Sequence, residues 1–175
     1  MSEEADPKNP EVIAILEIHS RAKAALDGGK YGDFFETTAP AWRLRTLNFM
    51  VLNAKGVAAK LGRAAEIKAL LEKLGAPASV MGEAGETPEK RDERLKTAWS
   101  GVADVRGIFV ALFEWLLKAG QPNTHAECFV GVPHVCSLTA DRAKICLVPP
   151  GHVPGTPLPY CNVSKFDGRW YLYGP

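Results

Sequence analysis

The sequence has almost no net charge. Its 175 residues include 21 lysines and arginines against 20 aspartates and glutamates, which gives +1 at pH 7. Such a balance provides no general field to attract nucleic acid or an anionic membrane. The two signs are also interleaved, as in Glu89–Lys96, and a mixed run of this kind is typical of a solvated helix face. We therefore expect neither nucleic acid nor a membrane as a partner.

Long apolar runs and a secretion signal are lacking as well. No apolar stretch reaches the roughly 20 residues that a membrane-spanning helix needs. The N-terminal segment, Met1–Asp6, is acidic and has neither the basic region nor the cleavage site of a signal peptide. The sequence therefore predicts a cytoplasmic protein, although an exported chain trimmed of its leader would have the same composition.

Sequence motifs of the common enzyme classes are missing. There is no Gly-x-Ser-x-Gly nucleophile turn, no phosphate-binding glycine loop and no dinucleotide-binding Gly-x-Gly-x-x-Gly. The four cysteines contain no Cys-x-x-Cys pair, which argues against a redox motif or a zinc ribbon. In a cytoplasmic protein these cysteines are expected to be buried free thiols. We predict no cofactor, and the lack of these motifs favours a protein that is not an enzyme.

Helical periodicity dominates the first two thirds of the chain. Apolar residues recur there at helical spacing, and we expect about four or five helices within residues 9–120. Residues 1–8 are polar and are predicted to be disordered. Cap and first-turn signals open the helical segments at Asn9-Pro10, Pro40 and Thr87-Pro88.

After residue 123 the periodicity changes from helical to alternating, which predicts strands. We expect a twisted antiparallel sheet of about four strands within residues 124–174, with the helices packed on it. The chain is thus predicted to be one α+β domain over residues 9–175. The candidate strands are 126–132, 135–138, 142–148, 158–165 and 169–173. Alternatively, the first two form one strand that is bent at Pro133.

The strongest local signal is Asp167-Gly168, which predicts a two-residue hairpin turn. That turn pairs Lys165 with Trp170 and Val163 with Leu172. Alternation then divides the strand residues between two faces of the sheet. The face toward the helices receives Cys161, Val163, Trp170 and Leu172, and the exposed face receives Asn162, Ser164, Tyr171 and Tyr173.

Two segments of the C-terminal third carry a family resemblance. Asp141–Val148 is a small acidic turn leading into an alternating strand, and Lys165–Leu172 closes on Asp-Gly-Arg-Trp. Together they resemble the end of NTF2-like (SnoaL-like, cystatin-like) α+β domains. The longer helical part and the lack of an early hairpin make the chain a divergent variant, of the kind found in bacterial proteins of unknown function. The resemblance implies a cone-shaped pocket between sheet and helices, used for catalysis, binding or dimerisation.

Such enzymes commonly place an Asp/His pair on the pocket wall, and one histidine here is a candidate for that role. His19 lies on the apolar stripe of the first helix, where a carboxylate could orient it as a general base. The alternative is a core histidine with a satisfied hydrogen bond. Aromatic residues are further predicted to line a ligand pocket or to form a plain core: Tyr31, Phe35, Trp42, Trp115 and Trp170.

Several cysteines and histidines lie in the C-terminal third, and together they suggest a zinc site as one hypothesis. The candidate ligands are His134, Cys136 and Cys128. His134 and Cys136 are two residues apart and would share one face of a strand. Their spacing fits no standard zinc signature, so loop histidines and core thiols are the alternative.

The sequence thus predicts a non-catalytic domain that binds a small apolar molecule or another protein. The exposed sheet face would be the contact surface, because tyrosines give a large contact area. A homodimer through Asn162, Ser164, Tyr171 and Tyr173 is the specific expectation. The alternatives are an NTF2-like pocket enzyme, such as an isomerase, cyclase or hydrolase, and a Cys/His metal-binding domain.

Overall fold

A computed structural model describes residues 5–82, 86–127 and 129–172. The α+β class is confirmed, with six helices of seven or more residues and a C-terminal antiparallel sheet of four strands in the order β1-β2-β3-β4 among the described residues. The longer helices are α1 Pro10–Asp27, α2 Tyr31–Thr37, α3 Pro40–Lys60, α4 Ala64–Lys73, α5 Pro88–Trp99 and α6 Val105–Lys118. A 3₁₀ turn covers Ala78–Met81 and a one-turn helix, α7, covers Thr124–Glu127. The strands are β1 Val132–Leu138, β2 Arg142–Val148, β3 Tyr160–Phe166 and β4 Arg169–Leu172.

The prediction of a strand over residues 126–132 is wrong. Its first residues belong to α7, which the side chain of Asn123 caps by accepting a hydrogen bond from the backbone N–H of Ala126 at 3.2 Å. The strand begins only at Val132 and continues through Pro133. Proline is tolerated there because β1 is an edge strand, whose outer side needs no ladder hydrogen bond.

The chain divides into two compact units. The sheet unit consists of residues 1–42 and 123–175 and holds α1, α2, α7 and the four strands. The helical unit consists of residues 43–122 and holds α4, α5 and α6. Helix α3 begins in the first unit and continues into the second. None of the described helices combines the length and apolar character required to cross a membrane.

Helix α1 provides the layer that covers the sheet. The Asn9 side chain accepts from the backbone N–H of Glu11 at 2.9 Å and Pro10 fills the first turn, so the helix begins where the sequence predicts. Gly29, at a φ of +66°, follows its end. The helix packs against β1 and β4. Its buried stripe is Val12, Ile15, Ile18, His19, Ala22, Ala25 and Leu26.

The described N-terminal residues also contact the sheet. Part of the segment that was predicted to be disordered forms a turn, in which the backbone N–H of Lys8 donates to the side chain of Asp6 at 2.9 Å. The backbone N–H of Ala5 donates to the carbonyl of Val135 on edge strand β1 at 3.3 Å. Residues 1–4 lie outside the described part of the chain.

The β3–β4 hairpin has the predicted register. Asp167 and Gly168 adopt φ values of 49° and 74°, the left-handed pair that a two-residue type I′ turn requires. Lys165 pairs with Trp170 and Val163 with Leu172. The inner face of the sheet is accordingly apolar and buried: Val135, Ala143, Ile145, Leu147, Val163, Trp170 and Leu172.

The helical unit has a core of its own. Helix α6 begins at Asp104, whose side chain accepts from the backbone N–H of Gly107 at 2.7 Å, and it buries a cluster with Phe109 and Phe113 at its centre. The Arg94 guanidinium of α5 pairs with the Glu86 carboxylate at 2.8 Å and donates to the carbonyl of Ser79. These contacts join α5 to the 3₁₀ turn.

Substitution of the turn glycine tests the hairpin. Gly168→Ala should lower the free energy of unfolding by about 1 kcal/mol, because an L-residue is strained in the left-handed region. An added Cβ would meet nothing within 4 Å, so the backbone alone causes this loss. Urea unfolding followed by circular dichroism measures it.

The matched control is Gly56→Ala, in helix α3, where an added Cβ also meets nothing within 4 Å. Alanine should there raise stability by up to about 1 kcal/mol, because it is the better helix former. Effects of the same sign at the two positions would contradict the assigned turn.

Candidate functional site: the outer face of the sheet

The four strands divide their side chains between two faces. On β2, buried Ala143, Ile145 and Leu147 alternate with residues that are wholly or partly exposed. The outer face is defined here as Arg142, Lys144, Cys146 and Val148 of β2 together with the residues on the same side of β1, β3 and β4. Because this face lies opposite the buried inner face, it is the part of the sheet that faces solvent.

One end of the outer face is apolar. Val132 pairs in register with Val148, and Tyr160 pairs with Cys146. Val132 is 70% exposed and Tyr160 is 55% exposed. We call Val132, Val148 and Tyr160 the apolar corner. Side chains of this kind left open together on a sheet are typical of an interaction surface.

Two local features hold the corner in place. Gly131, at a φ of +117°, lets the start of β1 approach the end of β2, where an added Cβ would lie 2.6 Å from the carbonyl oxygen of Val148. The ammonium group of Lys144 lies 4.3 Å from the ring centroid of Tyr160, a cation–π contact that favours one position of the ring.

The other end of the outer face is basic. Arg142 and Arg169 are exposed there, and Lys144 is half-buried between them and the apolar corner. None of the four described strands contains an aspartate or glutamate. Within the described residues, none of these three cations forms an ion pair. The acidic residues that adjoin this end, Asp141 and Asp167, lie in turns.

The remaining strand lysine does not add to this charge. Lys165 lies on the inner side, where its ammonium group contacts both carboxylate oxygens of Glu11 on α1, at 2.8 and 2.9 Å. The indole N–H of Trp170 donates to the same carboxylate at 2.6 Å. The hydrogen bond from Lys165, and then that from Trp170, hold the pKa of the Glu11 carboxyl below its ordinary value.

The predicted interface residues have different outcomes. Asn162 is exposed and Tyr171 is partly exposed, both on the outer face. The prediction that Ser164 is exposed is wrong, since its side chain is only 2% exposed. Its register partners are Arg142 and Tyr171, whose larger side chains flank it on both sides. Tyr173 lies outside the described residues.

A disulfide crosses the outer face. Cys136 and Cys146 are bonded, with 5.9 Å between their Cα atoms, so the prediction of free thiols is wrong for this pair. Cys136 lies at an irregularity between Val135 and Ser137, where β1 has one residue more than β2. Cys161 is half-buried and Cys128 lies outside the described residues.

The disulfide also bears on the predicted metal ligands. A sulfur bonded to another sulfur offers no thiolate, so Cys136 in this state is not a zinc ligand. His134 faces the other half of the disulfide, since it pairs in register with Cys146. Within the described ranges no three histidine, cysteine or acidic residues are grouped so that they could hold a metal ion.

His19 lies in an aromatic cluster of the sheet unit. It is 2% exposed and its ring centroid lies 4.8 Å from that of Phe129. His125 contacts Phe34 nearby, at 5.3 Å between ring centroids. Burial lowers the pKa of His19 below its ordinary 6.5, and the positive charge of Lys23 lowers it further. Burial likewise lowers the pKa of His125.

These surroundings favour the neutral form of the His19 imidazole but do not orient it. The Nε2 atom of His19 is buried and has no hydrogen-bond partner among the described residues. No described carboxylate orients the ring, although an oriented ring is what a general base needs. The role of His19 as a base stays a prediction.

The predicted pocket aromatics are distributed over the chain. Phe35 and Trp170 are buried in the core, and Tyr31 and Trp42 are half-buried. Trp115 belongs to the helical unit, where its ring lies 5.2 Å from the Arg63 guanidinium carbon.

Two hollows of the described structure lie away from these aromatic residues. One of about 750 Å³ in the helical unit is lined by Arg94 and Lys90, and one of about 430 Å³ in the sheet unit by Arg21 and Asp33. Neither is lined by any of the five predicted pocket aromatics. These two hollows therefore do not correspond to the predicted pocket.

No family model matches the chain, and neither a curated protein nor a solved structure matches it. The site must therefore be interpreted from its own geometry. The basic end of the outer face was not predicted from the sequence. A signal was present in the strand segments 132–138, 142–148, 160–166 and 169–172, which contain no acidic residue.

Removal of the disulfide tests its contribution. The double variant Cys136→Ser, Cys146→Ser should lower the free energy of unfolding by about 3 kcal/mol, because a cross-link over so short a loop restricts the unfolded chain by that amount. Urea unfolding of the oxidised protein and of the variant gives the difference. A variant as stable as the oxidised protein would contradict the cross-link, and the wild type with excess dithiothreitol is the control.

The two buried histidines predict acid sensitivity. Their folded-state pKa values lie below the ordinary 6.5, so the unfolded chain takes up protons first. The free energy of unfolding should therefore have its full value above pH 6.5. Below that pH it should fall by at most about 1.4 kcal/mol per pH unit for each histidine. His19→Asn should flatten this slope in urea unfolding at pH 7.5 and 5.5. An unchanged slope in His19→Asn would contradict the assignment.

Proposed function

We propose that the chain is a non-catalytic interaction domain that binds another protein through the outer face of its sheet. The observation that carries the proposal is the apolar corner, where Val132 and Tyr160, on the two strands that flank β2, are 70% and 55% exposed. Leaving these side chains in water is unfavourable in the isolated chain, and a partner that covers them removes that cost.

The composition of the outer face supports a protein as the partner. Tyr160 provides a large, rigid contact area at one end, and Tyr171 adds a second aromatic ring further along. Asn162 and the basic residues supply polar groups around them. An apolar centre with a polar rim is the usual composition of a protein interface.

The opposite side of the sheet gives less support to the pocket alternatives. Phe35 and Trp170 are 1% and 7% exposed, and His19 has no described carboxylate beside it. Binding of a small apolar molecule, pocket catalysis and metal binding therefore rank below the interaction domain. The resemblance to NTF2-like domains and a second copy as the partner stay predictions.

Site-specific photo-crosslinking tests the proposal. Replacement of Tyr160 by benzoylphenylalanine, in cells that produce the protein naturally, should give a discrete covalent adduct with another protein. The same group at Ile13, an exposed apolar residue of α1, is the matched control and should give none. An adduct of twice the chain mass would identify a second copy as that partner.

The adduct must also depend on the rest of the corner. Val132→Asp places a charge within the apolar corner and should remove the adduct without unfolding the chain, which circular dichroism checks. Adducts of equal yield from positions 160 and 13, or none from position 160, would contradict the proposal.

A further inference from the structure

The outer face has an uncompensated positive charge although the whole chain is almost neutral. Arg142, Lys144 and Arg169 lie on it, and the four described strands carry no acidic residue. The inner Lys165 does have a carboxylate, that of Glu11 on α1. Helix α1 therefore supplies a counter-charge on the inner side of the sheet, and no described residue forms an ion pair with the outer cations.

From this asymmetry we infer that the partner presents an acidic, extended segment to the outer face. Its carboxylates would meet Arg142, Lys144 and Arg169, and an apolar or aromatic side chain would cover Val132 and Tyr160. The inference rests on the proposed function, because it names the chemistry of the partner for the same surface. Complementary charge of this kind sets specificity and association rate.

The spacing of the surface fits an extended segment. Residues on one face of a strand repeat every second position, about 7 Å apart. Along β2, Arg142 and Lys144 are one such repeat apart, and Val148 lies two repeats beyond Lys144. A partner strand that carries acidic residues at alternate positions, followed by an apolar residue, would match this order.

The same charges argue against two other occupants. A second copy bound through the same face would bring its own Arg142, Lys144 and Arg169 against these three, and like charges at an interface are unfavourable. Nucleic acid is less favoured because the chain has a net charge of only +1 and the cations adjoin an apolar corner.

A designed peptide tests the inference with the full chain. The probe alternates glutamate with serine and ends in phenylalanine, and a matched peptide has glutamine in place of glutamate. Fluorescence anisotropy at low salt should show binding of the glutamate peptide only. Added sodium chloride should weaken that binding, because exposed ion pairs are screened. Binding of both peptides alike, or of neither, would overturn the inference.

A charge-matched pair of variants locates the binding. Arg142→Gln, Lys144→Gln, Arg169→Gln should bind the glutamate peptide on the order of tenfold more weakly, since three ion pairs with the peptide are lost. The control removes equal charge from the helical unit, through Lys60→Gln, Lys73→Gln, Lys96→Gln, and should bind as the wild type does. Equal weakening in the two variants would overturn the inference.

Two further outcomes separate the inference from the proposed function. Tighter binding of a single-stranded oligothymidylate than of the glutamate peptide would overturn both. A crosslink from position 160 to a second copy, with no binding of the glutamate peptide, would overturn the inference of an acidic partner. The proposal that the outer face binds a protein would then still hold. The salt dependence of the wild type needs no variant, so the test holds even where a substitution disturbs folding.

Discussion

The backbone of the Asp167-Gly168 turn is the constraint on which the rest of the sheet unit depends. Its left-handed conformation closes the hairpin in two residues and fixes the β3–β4 register. A slip of one residue would exchange the two faces and move Trp170 from the core into solvent. The separation between an apolar inner face and a basic outer face is therefore a consequence of this turn.

Helix α1 joins the hairpin through one carboxylate. Glu11 accepts from both Lys165 and Trp170, so it positions the start of the helix over the hairpin and neutralises the inward lysine. The segment between α2 and α3 also contacts the hairpin, where the backbone N–H of Ala39 donates to the carbonyl of Leu172 at 3.1 Å. On the inner side of the sheet the charge of Lys165 is paired and the apolar side chains are buried. The remaining positive charge of the sheet lies on the outer face.

The sequence allowed prediction of those features that neighbouring residues determine. The α+β order, the start of α1 and the hairpin register each depend on contacts within a few positions. Features that depend on the register of strand pairs other than β3–β4 were missed. The Cys136–Cys146 bond depends on the β1–β2 register. Ser164 is 2% exposed although it lies on the outer face, where it pairs with Arg142 and Tyr171. For the same reason the basic end of the outer face emerges only once the strands are aligned.

Hydroxyl-radical footprinting of the full chain would test the central claim most directly, namely that the register leaves the outer face open. Tyr160 and Trp170 lie on β3 and β4, are both reactive aromatic residues, and are 55% and 7% exposed. The assigned register predicts rapid oxidation of Tyr160 and protection of Trp170. Oxidation of Trp170 as fast as that of Tyr160, or faster, would mean that the two faces are exchanged or covered and would contradict the account.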